Sequence, residues 1–229
     1  EIGKAIHQYG MIEDGDRILV GVSGGKDSLT LLWTLNERRA RVPVAYEIHG
    51  VYIDPGFDDG FSGQLSEWAR GQGFSLRVEL TDCGIVAHSE TNRENPCFLC
   101  ARLRRKRIFE VAEELNCNKV AFGHHKDDII ETFFINICYA GAMYTMRPKQ
   151  SFFNGRITVI RPMAYVDEDR IKRFAHARGF PKFDNPCPTS KTSKRGEIKT
   201  LLKQLYGRNR NIKGTIFRSF SRVKADYFL

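Results

Sequence analysis

Between Arg17 and Leu32 the chain reads RILVGVSGGKDSLTLL, the stretch that most narrows what it can fold into. An apolar run, Ile18 to Val22, enters Ser23-Gly24-Gly25-Lys26-Asp27-Ser28, and an apolar helical pattern, Leu29, Leu32 and Trp33, follows. That order is strand, glycine turn, helix. The glycines let backbone pass close to a ligand, and the turn's N–H groups and the helix N-terminus converge on one point, so the segment is an anion cradle. A phosphate group is its natural guest, held by Val22, Ser23, Gly24, Gly25, Lys26, Asp27 and Ser28. Neither G-x-x-x-x-G-K-[ST] nor G-x-G-x-x-G spacing occurs, so this is neither a P-loop nor a dinucleotide fingerprint.

A strand feeding a helix through such a turn needs a crossover to a parallel neighbour, and the remaining pattern supplies several. Further strands are expected at residues 44–53, 74–80, 119–122 and 157–161. Helices are expected at 2–11, 61–72, 102–116 and 126–139, and from the cap Asp167 to Arg178, with Gly179 ending it. Loops cover 81–96 and 141–154, and Pro181, Pro186 and Pro188 break regular structure after the last of these helices. Two basic helices, 196–206 and 209–227, close the chain. The fold class is therefore α/β, a doubly wound five-stranded parallel sheet with a C-terminal basic helical appendage, divided into residues 1–190 and 191–229.

In such a sheet, ligands bind beyond the carboxyl ends of strands where the strand order reverses. Tyr52, Ile53 and Asp54 end the second strand and can offer backbone groups to the rest of a phosphate-bearing ligand, while Gly123 lets such a ligand approach the backbone. Asp27, Asp54, Asp127 and Asp128 offer oxygen ligands for a magnesium ion accompanying phosphate groups. Asp127 and Asp128 also suit a helix N-terminus, where the macrodipole favours acidic residues. Lys26 and the loop amides can neutralise the negative charge of bound phosphate groups.

The formal charge is +9, and its placement says more than its size. Residues 191–229 carry eleven Lys and Arg against Glu197 and Asp226, a net of +9, while the other 190 residues balance at 25 and 25. Such segregation suggests a polyanion partner, with Arg102, Arg104, Arg105, Lys106, Arg107, Lys194 and Arg195 as candidate RNA contacts. No apolar run approaches the roughly 20 residues that span a bilayer, no signal-peptide core is present, and a cytoplasmic location is expected.

Six cysteines in such a chain are not a disulfide framework. Cys117 and Cys138 fall in helical patterns and are expected to be buried; Cys83 begins a loop and has no assigned role. Cys97 and Cys100 form a C-x-x-C before a helix start, which suits either a redox dithiol or one edge of a metal site. With Cys187, set between two prolines, three thiolates fit an incomplete tetrahedron: a four-iron cluster with one iron free of protein, or zinc with an open position.

The string SGGKDS after a strand resembles the pyrophosphatase-type loop of the ATP-pyrophosphatase, or adenine nucleotide alpha hydrolase, superfamily. Together with PCFLCARLRRK, AFGHHKDDIIETFF, VIRPMAY and the late single cysteine, it resembles the tRNA 2-thiocytidine synthetase family over residues 17–187. That resemblance implies ATP-dependent thiolation of C2 of a tRNA cytidine in the anticodon loop. Lys26, Asp27, Asp127 and Asp128 would then act on ATP and magnesium, and Cys97, Cys100 and Cys187 would hold a 4Fe-4S cluster. It further implies a sulfur donor such as a cysteine desulfurase or free sulfide, and is compatible with a homodimer. Family members with paired late cysteines differ from this chain, which has only Cys187 there. Other tRNA-modifying relatives remain alternatives: lysidine synthetases, which have no use for a cysteine triplet, and 2-thiouridine enzymes, whose paired zinc cysteines are missing here. A non-catalytic nucleotide-binding module with a zinc or redox dithiol site is a further one.

Overall fold

The computed structural model describes residues 1–58, 60–189, 194–224 and 226. Elements run α1 (Ile2–Gln8), β1 (Asp16–Gly21), α2 (Lys26–Arg39), β2 (Tyr46–Asp54), α3 (Ser62–Gly71), β3 (Leu76–Leu80), α4 (Cys83–Ala87), α5 (Pro96–Glu114) and β4 (Lys119–Ala121). They continue with α6 (Lys126–Ile135), β5 (Lys149–Phe152), β6 (Ile157–Ile160), α7 (Glu168–Ala177), α8 (Lys194–Arg208) and α9 (Ile212–Ser219). Backbone contacts divide them into two compact units, Glu1–His125 with Arg147–Ser190, and Lys126–Met146 with Lys191–Leu229.

The first unit holds a six-stranded sheet in the order β3-β2-β1-β4-β6-β5. The five expected strands pair in parallel, Val20 opposite Gly50 on one side and Ala121 on the other. Side chains alternate across β1: Ile18 and Val20 face a core shared with Leu29, Leu32 and Ile171, while Leu19 faces Ile108, Val111 and Val159. Helices thus cover both faces, as a parallel sheet requires. A buried Asp16, 3.5 Å from Lys119 Nζ, also accepts from Asn118 Nδ2 at 2.7 Å and ties the start of β1 to β4.

The sixth strand, β5, is antiparallel and falls where a loop was expected. Lys149-Gln-Ser-Phe has no apolar alternation because only β6 flanks it, so it needs neither a core face nor a second partner. Its turn into β6 places Phe153, Asn154 and Gly155 at φ of 52°, 56° and 88°. A second difference lies in α5, which starts at Pro96 rather than residue 102. Asn95 caps it, accepting from the Cys97 and Phe98 N–H groups at 3.0 and 3.3 Å, and Pro96 supplies the preset first-turn φ.

The second unit joins the C-terminal helices to α6, a grouping that the boundary expected near residue 190 does not contain. Ile130 packs with Ile198 and Leu202, with Phe134, Leu205 and Phe217 around them. After α6 the chain widens into a π-helical turn, Asn136–Ala140, which leaves Cys138 exposed rather than buried. The last expected helix is described as α9 and ends at Ser219; its expected end, Tyr227, lies outside the described residues. Among the described residues no helix is long and apolar enough to cross a membrane.

Candidate active site

The sheet order reverses between β1 and β4, so the segments leaving these strands lie side by side at the switch point. After β1, Ser28 Oγ accepts from the Ser23 N–H at 3.0 Å and donates to the Gly25 carbonyl at 2.9 Å, closing the loop on itself. Gly24 turns at φ 77°, and a Cβ there would stand 2.5 Å from the Phe61 ring. Gly25 is the N-cap of α2 and offers no side-chain oxygen, so the N–H groups that a capping side chain would take stay available to an anion. Gly123, after β4, is needed for packing: a Cβ would sit 3.0 Å from the Asp27 carbonyl and the Ser28 nitrogen. The backbone that approaches it is that of α2.

Lys26 Nζ lies 3.1 Å from Asp27 Oδ2 and 3.2 Å from Glu168 Oε1. Burial pushes its pKa down, but the two carboxylates outweigh burial and hold the ammonium above its ordinary value. The other Asp27 oxygen, Oδ1, is buried 3.7 Å from His125 Nε2 and accepts no hydrogen bond among the described residues. Sequence patterning missed Glu168 and His125; both are single residues whose place beside Lys26 and Asp27 only the folded sheet creates.

A cavity of about 220 Å³ opens beside Ser23, Gly24 and Gly25 and is walled by Tyr52, Phe61 and Phe183. Phe61 and Phe183 stack at 4.8 Å and 11°. Burial, reinforced by Asp54 and opposed by Arg104, pushes the Tyr52 phenol up to about 12, so it stays neutral. Asn185, Pro186 and Arg104 complete the wall. Arg104 Nε is buried without a hydrogen bond, and the guanidinium has no carboxylate partner among the described residues. Expected at an RNA surface, it lines this cavity instead. Ile53 is buried in the sheet, and Asp54 Oδ1 accepts from the Gly56 N–H at 2.9 Å, holding its own turn.

The cavity's Asn185-Pro186 wall leads directly into Cys187. Thr189 Oγ1 lies 3.4 Å from both Cys187 Sγ and Cys97 Sγ, and 3.1 Å from His88 Nε2. His88 Nδ1 donates to the Gly84 carbonyl at 2.9 Å, so Nε2 is the acceptor and the Thr189 hydroxyl its donor. Cys100, one helical turn after Cys97, is hydrogen-bonded to Cys83, which raises the Cys100 pKa together with burial. The same bond lowers Cys83 to about 6 against its burial, helped by Thr81 and Arg104. Cys83 is thus a buried residue opening α4, placed against the triplet that the sequence singled out. Among the described residues, no three His, Cys, Asp or Glu side chains converge tightly enough for one metal ion.

The remaining candidates belong to the second unit or to α5. Asp127 and Asp128 open α6 in the second unit, 2.6 Å from Lys213 and 3.0 Å from Arg195. Arg195 also reaches Glu131 and Thr132, and Lys194 lies over the Tyr139 ring, so both cations serve packing within that unit. Arg107 is enclosed by Glu79, Glu110 and Glu114. Arg102 pairs bidentately with Glu94, while Arg105 and Lys106 are exposed on the outer face of α5.

A family model described as PP-loop domain matches residues 1–205. The chain is 41% identical over 230 residues to a tRNA-cytidine(32) 2-sulfurtransferase of Syntrophotalea carbinolica, covering 99% of this chain and 89% of that protein. A protein of the same name in Geotalea daltonii is 42% identical, with 100% of this chain and 92% of the relative covered. Among solved structures, the U34-tRNA thiolase NcsA from Methanococcus maripaludis with its 4Fe-4S cluster shares the fold. It matches with a TM-score of 0.77 at 22% identity, covering 96% of this chain and 76% of that one. By its glycine loop, its sheet order and its full-length relatives, the chain belongs to the PP-loop family of tRNA-cytidine(32) 2-sulfurtransferases.

Proposed function

We propose that this protein consumes ATP to replace the C2 oxygen of a tRNA cytidine with sulfur. One observation carries the assignment of roles: the cavity bordered by the phosphate loop is also walled by Asn185 and Pro186, which lead into Cys187, and by Arg104, one helical turn after Cys100. Nucleotide activation and sulfur delivery would therefore take place on adjoining segments of the chain.

The base oxygen attacks the α-phosphorus of ATP and pyrophosphate leaves. A sulfur nucleophile then attacks C2, the C–O bond breaks, and AMP departs with the oxygen. The amides of Ser23 to Ser28 and the α2 N-terminus take the negative charge of the phosphates. Lys26 follows them only by exchanging carboxylates for phosphate oxygens. Arg104, without a carboxylate among the described residues, can meet charge that develops in the cavity. Asp27 Oδ1, buried without a hydrogen bond among the described residues and 3.7 Å from His125 Nε2, fits a hard cation such as magnesium.

Cys97, Cys100 and Cys187 are soft donors, and their spread suits a cluster that places ligands on different irons rather than a single zinc with all thiolates about 2.3 Å away. When bound there, a 4Fe-4S cluster supplies an iron without a protein ligand, a docking point for sulfur from a desulfurase or free sulfide. Around it the protein positions its own groups: Thr189 spaces Cys97 from Cys187, and His88 orients Thr189.

Anaerobically reconstituted protein, incubated with ATP, sulfide and unmodified tRNA, tests the assignment. Thiolated cytidine should form together with pyrophosphate. Pyrophosphate release without any thionucleoside would point to a different nucleophile and overturn it.

A further inference from the structure

On its outer face α5 presents Arg102, Arg105, Lys106 and Phe109 along one side of an open groove of about 480 Å³. Phe153 and Arg156, from the β5–β6 turn, form the other side. The Phe153 ring packs edge-on against Phe109 at 5.2 Å and 85°, yet the residue stays 45% exposed. Its backbone sits at φ 52°, a region that bulky residues rarely enter, followed by Asn154 at 56°. A β-turn does not need a phenylalanine there, and such outliers persist where a function uses them.

The electrostatics identify the guest. Glu110 and Glu113 also line the groove, paired at 3.8 Å with Lys106 and 3.5 Å with Arg156, both exposed contacts that phosphates can displace. Arg105 has no carboxylate partner among the described residues. Arg105 and Arg156 flank an exposed aromatic ring, an arrangement that matches the requirements of single-stranded RNA, in which bases stack on rings and phosphates pair with Arg.

We propose that this groove is a docking site for an unpaired stretch of the tRNA, with one base stacked on Phe153 and its phosphates on Arg105 and Arg156. The proposal rests on tRNA being the substrate. Phe109 lies nine residues after Cys100 on one helix, about 13 Å along the axis, so α5 carries both the reacting end and the docking end of the same RNA loop.

Substrate tRNA binding by wild-type, Phe153→Leu and Arg105→Ala proteins decides the matter, measured by fluorescence anisotropy across a salt series. Phe153→Leu keeps an apolar side chain against Phe109 and should weaken tRNA binding about tenfold. ATP affinity and melting temperature should be unchanged, and Phe153→Trp should restore binding. Arg105→Ala should reduce the salt slope by about one. Wild-type tRNA affinity in Phe153→Leu would overturn the proposal. So would a change confined to the oligomeric state, which would make the groove a contact between copies. Wild-type protein without tRNA affinity would defeat the substrate assignment and the docking site with it.

Discussion

The phosphate loop and the proposed cysteine site are built in opposite ways. Six consecutive residues make the loop, and its geometry is complete before any ligand arrives: Ser28 bridges its two ends, and Gly24 and Gly123 admit neighbours too close for a Cβ. The cysteine site draws on residues 83–88, 97–100 and 187–189, and two of its thiols meet only across the Thr189 hydroxyl. Preorganisation at the loop is tied to folding, whereas at the cysteines it waits for the ligand, as in sites where ligand binding and ordering are coupled. Disturbing the loop should therefore cost stability or chemistry at once, and disturbing the cysteine surroundings should cost little until sulfur is delivered.

The largest effect is expected from Asp27→Asn. Loss of the carboxylate whose Oδ1 is buried without a hydrogen bond should slow pyrophosphate release by about 10²–10³-fold, with folding intact. Single-turnover release near the wild-type rate would remove Asp27 from the chemistry. Gly24→Ala should come next, because φ 77° disfavours any Cβ and the new atom meets the Phe61 ring. A loss of about 2–4 kcal/mol in urea unfolding is expected from strain plus overpacking. Neutral behaviour would mean that the loop is not preset.

Glu168→Gln probes the carboxylates around Lys26 and should act more mildly. The Lys26 pKa should fall toward its ordinary value of 10.5, and the KM for ATP should drop about twofold to fivefold as one competitor for the ammonium disappears. The sign in pH follows from a raised lysine pKa. Stabilisation by Glu168 is complete below 10.5 and lost as pH rises through the raised folded value, so the unfolding midpoints of the two proteins should converge there. Parallel pH profiles would show that the contact carries no charge coupling. Smallest of all, Thr189→Val should shift the stability of the metal-free protein by less than about 0.5 kcal/mol, a surface-like change despite its position between two thiols. A larger loss would place the cysteine site among the preset parts of the fold.

Reading the sequence alone recovered what short periodicities encode. Ile18 to Val22 followed by Ser23 to Ser28 names its own fold unit, and each parallel strand carries enough apolar residues to announce itself. β5 was missed because an edge strand pairing on one side needs no such pattern. The start of α5 was placed late because Asn95-Pro96, a cap and first-turn proline, resembles a loop end as much as a helix start. Arg104 illustrates the same limit at the site. One of five basic residues in RLRRKR, it cannot be distinguished from its neighbours by composition, yet the 3.6-residue period turns it inward with Cys100 and Ile108 while Arg105 and Lys106 face out. Cys83 and His88 reach the site only through the path of the chain from β3 to α5, which no local pattern reports.

The unity of the cysteine triplet is tested most directly by mass-spectrometric analysis of tRNA nucleosides after reaction with reconstituted Cys187→Ala protein, beside wild-type protein of known iron content. Wild-type protein should hold about four irons per chain and yield thiolated cytidine. Cys187→Ala should yield none, with ATP and tRNA affinities close to wild type. Thiolated cytidine formed by Cys187→Ala at the wild-type rate would reduce the site to the Cys97 and Cys100 pair and contradict the three-cysteine assignment.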